Sequence, residues 1–175
     1  MRVIKAPNDY ERQRHDVICF LAGGITDCPD WQTEVIESLL RMERNDIDLS
    51  QLVIMNPRRE NFPINDPSAS EEQIQWEFKW LEECDIFSMY FAPGESVQPI
   101  CMYELGRNIL RMQQKYMVSW QDHLVISVAD GYKRSKDVLV QANLAIGRDI
   151  VPEHVTPQDH AHAILMAYTW ATDGM

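Results

Sequence analysis

Along the chain, short runs of apolar residues alternate with longer stretches in which apolar residues recur every three or four positions. VICFLAGG, residues 17–24, is apolar until two glycines stop it, which predicts a buried strand and a tight turn. LVIM (52–55, stopped by Asn56-Pro57), IFSMYF (86–91) and HLVISVADG (123–131) read the same way. DWQTEVIESLLRM places Trp31, Val35, Leu39 and Met42 on one helical face, with Asp30 as its cap. SEEQIQWEFKWLEECD predicts a second helix, with Ser70 as cap and Gln73 completing a capping box. If Ile74, Phe78 and Leu81 form its inward stripe, Glu77 flanks that stripe. Residues 100 to about 114 predict a third helix, and SKDVLVQANLAIGRD a fourth that ends near Gly147. VTPQDHAHAILMAYTWA predicts a last helix, capped by Thr156 with Pro157 in its first turn. ENFPINDPSAS and ESVQP read as loops.

The order β-α-β-α-β-α-β-α-α implies an α/β fold, with a parallel sheet covered on both faces. Residues 1–16, polar and mixed in charge, form either an arm or an extra edge element ahead of one domain over 17–175. Parallel sheets of this kind bind ligands beyond the carboxyl ends of their strands, near the point where strand order reverses. The conspicuous polar and glycine residues fall there. Gly23-Gly24 follow the first predicted strand, Asn56-Pro57-Arg58-Arg59 the second, Pro93 to Glu104 the third and Asp130-Gly131 the fourth.

Composition narrows the function. A net charge of -11 argues against general affinity for nucleic acid backbones, which calls for Lys and Arg. No apolar run reaches the roughly 18 residues of a membrane span, and the first residues are too polar for a secretory signal. Cys19, Cys28, Cys84 and Cys101 form no C-x-x-C pair. Cys19, Cys84 and Cys101 read as reduced core thiols of a cytoplasmic protein. The five histidines are scattered, so no metal is assigned, and the spacing after LAGG does not fit a dinucleotide fingerprint, so no cofactor is either.

PICMYELGRN (99–108) poses the sharpest question. It sets Glu104 among apolar residues at what reads as the first turn of a helix. There the macrodipole would hold the carboxylate ionised, either as a plain surface acid or as a nucleophile for a sugar carbon. Glu77 is either a solvated acid or a proton donor and acceptor directed at the same site. Arg58 and Arg59 are either a solvated pair or a fork for phosphate or sugar hydroxyls. Asp85 takes a turn or capping role at the opposite end of the sheet.

FLAGG with a following DWQ, then NPRR, then QWEFKWLEECDIFSMYF, then YELG, resembles the nucleoside 2-deoxyribosyltransferase-like group over roughly residues 17–150. Trp-Glu, seven residues, Asp-Ile, an apolar strand, a loop and Glu-Leu-Gly is a specific succession. The resemblance implies a flavodoxin-like three-layer sandwich with a parallel sheet of four to five strands, a homo-oligomer, and cleavage of a nucleoside's N-glycosidic bond. It implies Glu104 as nucleophile, through a covalent deoxyribosyl ester, with Glu77 handling the base or its proton. Phe20, Ala22, Gly23 and Gly24 would contact the ligand, together with Asn56, Arg58, Arg59, Glu95, Gln98 and Met102. The substrate would be a nucleoside or, if Arg58 and Arg59 bind phosphate, a nucleotide. Transfer to a second base and hydrolysis both remain open, as does a non-catalytic nucleotide-binding protein. The sequence departs from the group's pattern in two places. Gln98 stands where the transferases carry an aspartate six residues before the nucleophile, with Glu95 as a nearby substitute. The asparagine that a neighbouring subunit supplies in those enzymes has Asn143 as its candidate here.

Overall fold

The computed structural model describes residues 1–45, 47–63 and 65–173. Five strands form one all-parallel sheet: β1 (Arg2–Lys5), β2 (Val17–Gly23), β3 (Leu52–Asn56), β4 (Ile86–Phe91) and β5 (Leu124–Val128). They lie in the order β1-β3-β2-β4-β5. The polar N-terminus therefore supplies the extra edge element, with Arg2 beside Val53 and Lys5 beside Asn56. The helices are α1 (Trp31–Arg44), α2 (Pro67–Glu83), α3 (Pro99–Tyr116), α4 (Ser135–Ile146) and α5 (Pro157–Asp173).

Alternation along β2 divides the core in two. Ile18, Phe20 and Ala22 pack with Trp76, Trp80, Leu105, Ile109 and Val138, which belong to α2, α3 and α4. Val17, Cys19 and Leu21 face the other way, onto Trp31, Val35, Leu39, Ile164 and Tyr168 of α1 and α5. This is the period of two expected of a strand buried on both sides. The arrangement is a three-layer, flavodoxin-like α/β fold. The four strands from β2 onward carry the doubly wound order, and β1 extends its edge.

Most predicted elements agree with the observed ones to within two or three residues, and α2 is the exception. It begins at Pro67, and its cap is Asp66, whose side chain accepts from the Ser68 N–H. Ser70 and Gln73 thus lie inside the helix and form no capping box. Its inward stripe is Ala69, Gln73, Trp76 and Trp80, joined by Leu81, while Ile74 and Phe78 are 65% and 58% exposed. The bulkier tryptophans win the sheet-facing side because together they bury more apolar surface. Asp30 does cap α1, accepting from Thr33 N at 3.2 Å. Thr156 and Asp159 exchange reciprocal bonds at the start of α5.

Candidate active site

A cleft of about 250 Å3 opens at the carboxyl edge of the sheet, where the connections from β2 and β4 diverge. Its walls come from the end of β2 and the turn after it (Phe20 to Thr26, less Leu21), from Pro57 after β3, from Glu77 on α2, and from Ser96 and Gln98 to Cys101 with Glu104 around the start of α3.

The β2 turn is held by backbone and side chain together. Trp31 Nε1 donates to Gly24 O at 3.0 Å, and Gly24 N donates to Gln98 Oε1 at 3.1 Å. Gln98 Nε2 in turn donates to Ala92 O at 2.8 Å. Gln98 is buried and left-handed (φ 49°), so one strained residue ties both loops to the first residue of α3. A Cβ on Gly24 would come within 2.7 Å of the Gln98 carboxamide carbon, so the approach calls for glycine.

Glu104 reaches the cleft because of its place on α3. Cys101, Leu105, Asn108, Ile109 and Met112 face the sheet, and Glu104, three residues after Cys101, borders that stripe on the cleft side. It is the sixth residue of α3, beyond the first turn. The macrodipole therefore does not hold it ionised, contrary to the expectation from sequence. Burial first, and then the charge of Glu77, push its carboxyl up to about 7, with Arg107 pulling the other way. Arg107 is itself shared, ion-paired with Glu82 and stacked 4.4 Å from the Phe78 ring centroid. Burial also raises the Glu77 carboxyl, opposed by a 2.7 Å hydrogen bond from Gln73 Nε2.

The fold thus brings Phe20, Ala22, Gly23, Gly24, Glu77, Gln98 and Glu104 onto one cleft and leaves the other predicted ligands outside it. Asn56 is buried and its Oδ1 accepts from Arg58 N, stabilising the turn. Arg58 turns back to Gln32 Oε1 (2.8 Å), Pro29 O (2.8 Å) and Asp30. Arg59 pairs with Glu72 at 3.3 Å. Both arginines border a separate polar depression with Lys5 and Glu60. Glu95 extends into solvent and pairs with Lys133. Met102 lines an apolar groove between α3 and α4. Asn143 closes the end of α4, accepting from Ile150 N and Val151 N. Asp130-Gly131, the fourth turn, borders a small depression of its own. Ile25, Thr26, Pro57, Ser96, Pro99, Ile100 and Cys101 line the cleft but were not selected from sequence. The rule that ligands sit just past strand ends reaches most of them, although apolar side chains there give no chemical signal.

Among the described residues no group of three or more His, Cys, Asp or Glu could hold a metal ion, and no helix is long and apolar enough to cross a membrane.

Fold and cleft together define a flavodoxin-like α/β protein with two carboxyl groups lining a cleft at its topological switch point. The chain belongs to the nucleoside 2-deoxyribosyltransferase like family, whose model matches residues 16–124. That span holds every element lining the cleft. A search of curated proteins finds no match.

Proposed function

We propose that this protein cleaves the N-glycosidic bond of a 2'-deoxyribonucleoside through a covalent glycosyl ester on Glu104 and transfers the sugar to a second base. The observation that carries the reading is the carboxyl pair, Glu104 and Glu77, on one partly desolvated cleft, with Glu104 pushed up to about 7. Burial raises both carboxyls and the two charges oppose one another, so the pair shares a proton, and cleavage runs through the form in which Glu77 holds it and Glu104 is ionised. In the first half-reaction a Glu104 oxygen forms a bond to C1' while the C1'–N bond breaks. The electron pair leaves with the base, which takes the Glu77 proton. In the second, a nitrogen of another base attacks C1', the Glu104 carboxylate departs, and Glu77 recovers a proton from the incoming base.

Hydrolysis is the second reading, and Gln98 favours it. Both polar ends of its amide are engaged by Gly24 N and Ala92 O, so it offers an incoming base no proton relay. The family's aspartate position is thus filled by a backbone tie, and water needs less positioning than a base. A 5'-phosphate loses support because Arg58 and Arg59 are committed to partners beside another depression. The reading includes a homo-oligomer, supported by the exposed Ile100, which lines the cleft, and the exposed Tyr103 three residues further along α3, and testable by sizing in solution.

One incubation tests the proposal. The protein is mixed with a panel of 2'-deoxyribonucleosides and their 5'-monophosphates, with and without a second base, and the products are separated by liquid chromatography. A new nucleoside is expected. Free base and sugar alone would make the protein a hydrolase. No cleavage of any substrate would leave the non-catalytic binding protein.

A further inference from the structure

Gln73 is the one polar residue in the inward stripe of α2 (Ala69, Gln73, Trp76, Trp80), and no capping role accounts for it. The residue is 9% exposed. Nε2 donates to two acceptors at once, Pro57 O at 2.8 Å and Glu77 Oε1 at 2.7 Å. Pro57 and Glu77 both line the cleft. The Gln73 Oε1 atom is buried and without a hydrogen-bond partner among the described residues. An orphaned acceptor of this kind is costly, because the hydration it loses is not replaced by a hydrogen bond. Turning the amide over would set its oxygen against two other acceptors, so the orientation is fixed by what it binds.

We propose that Gln73 is a positioning residue that clamps Glu77 Oε1 to the turn after β3 and reserves Oε2 for the proton exchanged with the base. The role rests on the reading of Glu77 as the acid. An oxygen that already accepts an N–H at 2.7 Å is the less basic of the pair, so the proton favours Oε2. When Glu77 gives up its proton, negative charge develops on a carboxylate that already holds a donor. Gln73 therefore favours the product of that transfer and makes Glu77 the stronger acid. The titratable groups that face Glu77 across the cleft are Glu104 and Cys101, both on α3, with Arg107 behind Glu104. From β2 and the turn after β3 it meets Phe20 and Pro57, which do not titrate.

The test is a site-resolved titration by nuclear magnetic resonance, which needs no turnover. In the wild-type protein the Gln73 side-chain N–H resonances are expected to shift with pH at the Glu77 midpoint, and in Glu77→Gln that shift is expected to vanish. In Gln73→Met the Glu77 carboxyl midpoint is expected to rise by about one pH unit, the effect of one lost donor. Flat Gln73 resonances, or an unmoved Glu77 midpoint in a folded Gln73→Met protein, would overturn the clamp. Should Gln73→Met fail to fold, the comparison of wild type with Glu77→Gln decides alone. Kinetics add the second arm: in Gln73→Met kcat falls severalfold to about tenfold with KM nearly constant. An unchanged kcat would remove the role in proton transfer. Absence of turnover in the wild type would defeat the proposed function and leave the titration result standing.

Discussion

Glu104 on α3 looks across the cleft at Glu77 on α2, and burial together with the Glu77 charge holds it protonated up to about pH 7. Two consequences follow, with opposite signs for activity and stability. As the proposed nucleophile, Glu104 must be ionised. With Glu77 as the acid, the rate of glycosidic cleavage is therefore expected to follow a bell: it falls about tenfold per unit well below the bell, where Glu104 is protonated, and falls again at high pH, where Glu77 has lost the proton it must donate. Across the acid limb stability moves the other way. The folded-state pKa lies above the unfolded value of 4.5, so the contribution is complete below that value and lost as pH rises from there to about 7. The loss is on the order of 3 kcal/mol. Glu104→Gln is expected to abolish cleavage yet raise Tm by several degrees at pH 8, with little change at pH 5, as thermal melts would show. Equal melts at both pH values would contradict the burial account.

The sheet, its two-sided core and the cleft's location were legible because they follow from periodicity and from the rule for ligands at strand ends. The Glu104 environment was not. PICMYELGRN shows a carboxylate near a helix start, but whether it stands in the first or the second turn depends on where the loop ends, and left-handed Gln98 decides that. Arg58 and Arg59 misled for a related reason. Chemistry suited to an anion says nothing about neighbouring carbonyls and carboxylates, and here Pro29, Asp30 and Glu72 take those guanidinium groups first. On α2, Ile74 and Phe78 fit a helical stripe as well as Trp76 and Trp80 do, and only packing against Phe20 and Tyr10 chooses the tryptophans.

Gln98 gives a prediction about the departure from the family pattern. Its amide joins Gly24 N to Ala92 O, and a carboxylate could accept the first bond but could not donate the second. Gln98→Asp is expected to destabilise the protein by about 1–3 kcal/mol in chemical denaturation and to lower kcat, rather than create a better transferase. A gain in base exchange with unchanged stability would contradict the role of a tie.

His160 on α5 is fully buried between Ser88 Oγ (2.7 Å) and Ser127 Oγ (2.8 Å), and burial depresses its pKa to about 3. The unfolded chain takes up a proton below about 6.5 while the folded one resists it. This contribution is present above 6.5 and is lost as pH falls toward 3, a cost of several kcal/mol in all. Glu104 gains stability over the same interval, so the comparison is between proteins: His160→Gln, less stable than wild type at pH 8, is expected to close that gap by about 2 kcal/mol between pH 7 and 5. Parallel urea unfolding at the two pH values measures the difference.

Asp85 works at the opposite end of the sheet from the cleft. Its Oδ2 accepts from Arg12 (2.6 Å) and Ile18 N (2.9 Å), and its Oδ1 from Lys115 (3.1 Å) and the Tyr116 hydroxyl (3.2 Å). Asp85→Ala is expected to cost about 3 kcal/mol by leaving these donors unpaired, while the cleavage rate per folded molecule stays the same. A lost rate in folded protein would place Asp85 in the chemistry.

The most direct measurement is intact-protein mass spectrometry with a 2'-deoxyribonucleoside carrying fluorine at C2'. This substituent slows both steps by destabilising positive charge at C1', and it lets an ester accumulate if departure from the enzyme is slowed more than attack. The expected result is an adduct of one fluorinated deoxyribosyl group, mapped by peptide sequencing to Glu104 and absent from Glu104→Gln. Wild-type-like turnover by a folded Glu104→Ala protein, or an adduct mapped to another residue, would contradict the account.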